Sequence, residues 1–156
     1  LFGDIVTDLA AAVTGRLRVN ADGERFIETL SQSFSAGTLL KPLTMSNRSI
    51  GGGDTPGQSG VQGGTGTNNV GLLVRTAGRV RQVVRNTFLL DDGAGRISSG
   101  GQTGIRVESP DALPSFVKAG AYVAVTGISS CFRSGGVLYP RVLVRDVSEI
   151  VLISRE

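Results

Sequence analysis

The sequence contains no histidine and no tryptophan, one cysteine (Cys131) and one methionine. Without imidazole, neither a histidine-based catalytic triad nor a His/Cys zinc site can be built from this chain. A single cysteine excludes an intrachain disulfide. Aromatic residues make up only 5% of the chain, so stacking platforms are scarce. No segment approaches the roughly 20 apolar residues that a membrane helix needs. There is no signal peptide of the charged, apolar, small-residue form. The chain opens on Leu1 rather than Met, as expected of a processed or truncated product. Neither sign of charge dominates: 16 basic against 13 acidic residues give a net charge of +3. A polyanion binder usually carries a denser basic cluster.

What remains is substantial. The chain has 156 residues, 40% of them hydrophobic, enough for a real core. All basic residues except Lys41 and Lys118 are arginine, which suits bidentate and partly buried pairing. Glycine is concentrated between residues 51 and 69, beginning Gly51-Gly52-Gly53-Asp54. Such a composition reads as a connector. It separates an N-terminal β arm (1–50) from a C-terminal module (70–156).

The module has the alternation of half-buried strands. Leu72, Val74, Gly78, Val80 and Val83 are interleaved with arginines. Thr87-Phe88-Leu89-Leu90 is a second strand, closed by the turn residues Asp91-Asp92-Gly93. Gly104–Glu108 is a third, Ala121–Ile128 a fourth and Val137–Val147 a fifth, with Ser148–Ile153 extending the edge. Residues 111–118 are a short helix or an irregular crossing, limited by Pro114.

The arm echoes the end of the module. Val13-Thr14-Gly15 matches Val125-Thr126-Gly127. The turn glycines Gly23 and Gly135 keep the same spacing of 112 residues as Gly15 and Gly127.

Together the Val70–Val80 strand, the Phe88-Leu89-Leu90-Asp91-Asp92-Gly93 hairpin, Gly104-Ile105-Arg106-Val107 and Tyr122–Ile128 resemble an OB-fold module. The arm resembles the last two strands of another. The connecting segments are similar to those of tandem-module secreted or surface proteins of bacteria. The resemblance implies an all-β, five-stranded OB-like barrel with an N-terminal β arm and a glycine-rich connector. It also implies an extracellular or cell-surface location.

A lone two-stranded hairpin is marginal in water. The arm's apolar set therefore needs a surface to cover: Leu1, Phe2, Ile5, Val6, Leu9, Val13, Leu17, Val19, Phe26, Ile27 and Leu30. Strand addition to a neighbouring copy provides one. The expectation is a non-enzymatic, self-assembling structural subunit, forming a filament, without metal, cofactor or membrane partner. The alternative is a single-stranded nucleic-acid-binding module. Its residues would be Arg75, Arg79, Arg81 and Arg85, whose odd spacing puts them on one strand face, with Phe88 as the nearest aromatic; Tyr122 and Tyr139 are the only tyrosines.

Four smaller signals are weighed against blander readings. Asp91-Asp92 fits a turn better than a catalytic pair. Gly51–Asp54 only faintly matches a calcium loop. Cys131 reads as a small buried residue rather than half of an intersubunit disulfide. Asn47-Arg48-Ser49 fits the N-x-S glycosylation pattern, a short and common one.

Overall fold

The computed structural model describes residues 9–154. The chain is all-β, with no α-helix among the described residues. Its strands are β1 (Leu9–Val19), β2 (Arg25–Ala36), β3 (Leu43–Thr44), β4 (Leu73–Val84), β5 (Thr87–Asp91), β6 (Ile105–Glu108), β7 (Tyr122–Ser134), β8 (Val137–Leu143) and β9 (Ile150–Ser154).

Five strands form a closed ring of hydrogen bonds. The order is β4-β5-β6-β8-β7, and β7 returns to β4. Every neighbour in the ring is antiparallel except β6 and β8, which run parallel. β3 and β9 add to its edges. Closure leaves the ring strands no free edge between them.

Period-two alternation explains the core. Val74, Val80, Phe88, Leu90, Ile105, Val107, Val123, Val125 and Val142 point inward and are buried. Residues 111–118, expected as a short helix or an irregular crossing, form no helix. They place Val117 in this core, with Leu113 and Phe116 packed against it. Asp146 caps a short 3-10 turn (Val147–Glu149) inside the stretch read as continuous edge strand.

The connector lacks strands but is not a bare spacer. Val61 is buried with Cys131 and Leu138 on the outside of β7 and β8. The Gln62 N–H donates to the Leu138 carbonyl at 2.7 Å. Asn69 ties the connector's two ends together: its Nδ2 donates to the Ser49 carbonyl at 2.6 Å and its Oδ1 accepts from Gly51 N at 2.9 Å. Glycine supplies the close backbone approach, and the few side chains present do the packing.

The arm also ends earlier than composition suggests. Residues 43–50 belong structurally to the ring. β3 pairs parallel with β4, and Ile50 lies in the ring's core. Asn47 is fully buried; its Nδ2 donates to the Leu90 carbonyl and its Oδ1 accepts from Thr76 Oγ1, both at 2.8 Å. The amide nitrogen that a glycan would occupy is already bonded inside the fold.

β1 and β2 form a separate two-stranded sheet. β2 opens at Arg25 and β8 at Val137, which preserves the 112-residue spacing of the repeat. The repeated glycines share a packing role. A Cβ on Gly15 would come within 2.3 Å of the Glu28 carbonyl oxygen, and one on Gly127 within 2.6 Å of that of Leu143. At both places the partner strand comes too close for any side chain.

Candidate functional site

Two surfaces stand out: the arm with its docking point, and a groove across the ring.

The arm is held by its tip. The turn between β1 and β2 carries Asp22 and Glu24 onto β7 and β8. Glu24 Oε1 accepts from the Cys131 backbone N–H at 2.9 Å and from the Ser130 hydroxyl. Ser130 Oγ in turn accepts from Arg141 Nε at 2.8 Å. Arg141 also reaches Asp22 at 3.2 Å and Glu24 at 3.6 Å. The connector grips the other side: Gln58 Nε2 donates to the Gly23 carbonyl and its Oε1 accepts from Arg25 N. Burial of the Cys131 thiol, with the nearby Glu24 carboxylate, pushes its pKa up to about 11. A thiol so enclosed is a packing group and a poor partner for an intersubunit disulfide.

Beyond the tip, every residue of β1 and β2 is exposed. Leu9, Ala11, Val13, Leu17 and Val19 alternate along one face of β1. Leu17 stands opposite Ile27, and Ala11 opposite Phe34, so β2 completes that face. The other face is more polar and carries the Arg18–Glu28 ion pair at 3.1 Å. Leu30, 67% exposed, is the extra residue where the register shifts between Thr14 and Gly15. Among the expected assembly residues, Leu9, Val13, Leu17, Val19, Phe26, Ile27 and Leu30 all lie on the arm. Leu1, Phe2, Ile5 and Val6 fall outside the described residues.

The arginine series does not form one face. Val80 pairs with Leu90 and Gln82 with Leu89, so Arg81 is an unpaired extra residue in β4. Such a bulge reverses the alternation beyond it. Arg75 and Arg79 precede the bulge. Arg81 clasps Asp91 through two hydrogen bonds to Oδ2, at 2.7 and 2.9 Å. Arg85 lies in the β4–β5 turn with φ 54°. Phe88 is 1% exposed in the core and offers no stacking surface.

A groove of about 610 Å³ over β5 and β6 brings together Arg85 and Phe88 of the expected set and adds Gln82, Leu89, Gln102, Arg106 and Phe132. The Arg106 guanidinium lies 5.0 Å from the Phe132 ring centroid, and Phe132 packs on Tyr139 at 5.8 Å. Arg106 and Phe132 escaped sequence reasoning because β6 and the end of β7 meet only through the ring closure. Their one signal was the rarity of aromatics.

Asp91 and Asp92 hold turns. Asp91 accepts from Gly93 N at 2.9 Å, and Asp92 from Asn47 N at 2.7 Å and Ala94 N at 3.0 Å. The Asp54 carboxylate of the glycine tract accepts from Gly60 N at 2.8 Å. Among the described residues, no group of three or more acidic or cysteine side chains is placed to hold a metal ion. Among the described residues no helix is long and apolar enough to cross a membrane. Comparison with protein-family models, curated proteins and solved structures finds no match.

Proposed function

We propose that this chain is a non-catalytic structural subunit that joins copies of itself through the β1–β2 arm. The ring is then an OB-like barrel. Its strand order, with a meander, a parallel third-to-fifth pairing and a fourth strand closing on the first, supports that reading. One observation carries the proposal: an amphipathic hairpin is anchored at its tip, while its apolar face is exposed and both outer edges have no strand partner among the described residues. Open edges and apolar faces are what strand addition uses. Arm-to-neighbour contacts are heterologous and need not close, so the assembled form is a filament. The resemblance of its connecting segments to those of secreted or surface bacterial proteins supports a location outside the cell.

Sedimentation velocity of the intact chain tests this. Wild type should form concentration-dependent assemblies. The double variant Leu17→Ser, Ile27→Ser should sediment as a monomer with an unchanged ring. A wild-type chain that stays monomeric at high concentration overturns the proposal.

The groove favours a second reading, binding of a single-stranded nucleic acid. Arg85 and Arg106 supply its charge, and Phe132, buried but lining the groove, its nearest aromatic contact. Under the structural reading, no oligonucleotide binds more tightly than roughly 10 μM at physiological salt, within the range of non-specific binding. Sub-micromolar, salt-sensitive binding that Arg85→Gln and Arg106→Gln abolish would replace the structural reading with this one.

A further inference from the structure

The connector and the loop between β5 and β6 enclose a second cleft of about 430 Å³, lined among others by Arg48, Arg96, Ser98, Ser99 and Tyr139. It adjoins the groove over β5 and β6 through Ser98 and Ser99. Arg96 is the unusual member. It is only 6% exposed, yet its Nε and Nη2 are sealed from solvent without any hydrogen-bond acceptor. No carboxylate pairs with it among the described residues. Its Nη1 lies against Gly63, where a Cβ would come within 2.9 Å. Burial, and after it the positive charge of Arg48, lower its pKa.

A buried guanidinium without a partner is costly, and a second cation facing it adds to the cost. Chains normally avoid this by pairing the charge. Among the described residues none offers a counter-charge, and of the guanidinium nitrogens Nη1 alone is not sealed from the cleft that Arg96 lines.

We infer that this cleft is a binding site for a tetrahedral oxyanion, a phosphate or sulfate group, held between Arg96 and Arg48. A guanidinium N–H makes a strong, charge-assisted hydrogen bond to such an oxygen, and Arg96 can make it through Nη1. Ser98, Ser99 and Tyr139 line the same space, and their hydroxyls are further donors that the two oxygens of a carboxylate would not exhaust. The site is independent of the arm and of the self-assembly it is proposed to mediate.

Thermal unfolding and calorimetric titration of the intact chain test it, at constant ionic strength balanced with sodium chloride. Inorganic phosphate and sulfate should raise the wild-type Tm saturably, by several degrees, while acetate should not. Arg96→Met removes an unpaired buried charge. It should therefore melt at or above wild type without phosphate and show no response to it. Arg48→Gln, at an exposed position, should fold normally and bind phosphate about tenfold more weakly. A wild-type Tm that does not respond to phosphate or sulfate overturns the inference. So does an Arg48→Gln chain that binds phosphate as tightly as wild type. Equal stabilisation by acetate overturns the tetrahedral assignment. The readout is the response to a small ion, so an oligonucleotide bound elsewhere would not imitate the result.

Discussion

The Glu24 carboxylate accepts the backbone N–H of Cys131 at 2.9 Å, across 107 residues of sequence. That bond, with the Ser130 and Arg141 contacts around it, joins an arm to a ring that share no β-ladder. The docking of the arm therefore depends on a few polar groups at its turn.

Glu24→Ala leaves the Cys131 N–H and the Arg141 guanidinium short of an acceptor. Losing hydrogen bonds to a charged group costs about 1.5–3 kcal/mol. The loss should fall on docking and spare the ring. Hydrogen exchange should accelerate across residues 9–36 and at Cys131, with β4–β6 unchanged. Unchanged exchange at Cys131 would show that the tip contacts are incidental.

Cys131 reports on the same contact. Its Sγ lies 3.7 Å from the Asp22 carbonyl, and its thiol is raised to about 11. At pH 8 the native chain should react with a thiol reagent at a small fraction of the unfolded rate. Removing residues 9–36 uncovers the sulfur and withdraws Glu24, so the rate should rise at least severalfold. Equal rates in the two chains would count against tip docking.

Asp91 sets a dependence on acid. Burial alone would raise its pKa, but the Gly93 N–H and Arg81 outweigh it and hold the carboxyl below its ordinary value of 3.8. The unfolded chain therefore takes up the proton first. The stabilisation is complete above the ordinary carboxylate range and drains away as pH falls through the folded-state value. Arg81 is partly exposed, so the sum is modest, about 1–2 kcal/mol. Asp91→Asn should lower stability at pH 7 and flatten the acid limb of a urea-midpoint profile. A variant with the wild-type acid limb would assign the dependence to other carboxylates.

Asn47 should remain unmodified when the chain is secreted from a glycosylating host, as intact-mass measurement would show. Asn47→Ala removes two buried hydrogen bonds and strands the Leu90 carbonyl and the Thr76 hydroxyl. The expected loss is about 2–4 kcal/mol, read from denaturant unfolding. A glycosylated, normally folded chain would contradict the buried position.

The ring strands were legible because alternation is local: Val74, Thr76, Gly78 and Val80 mark one face of β4 whatever their partners are. The bulge at Arg81 was not, because a bulge belongs to two strands and is invisible in one. Moving Arg85 away from Arg75 follows directly from it. The arm's hairpin was legible through its repeat with β7 and β8, but its docking was not. Glu24 and Ser130 carry no mutual spacing signal, since only the tertiary fold brings them together. Val61 was the one large aliphatic residue in a glycine-rich tract, and that was the available clue to the connector's packing. Arg96 had none: its isolation is defined by what the connector and the β5–β6 loop fail to provide.

The tip-anchored hairpin also sets a length. β1 has 11 residues, and a strand advances about 3.3 Å per residue, so the arm projects about 35 Å from its anchor. The β-ladder resists stretching, and motion at the tip changes direction more readily than reach. In an assembly built through this element, the arm would act as a ruler. Spacing between successive rings would stay nearly constant while the angle between them varied, giving an object uniform in repeat and compliant in bending.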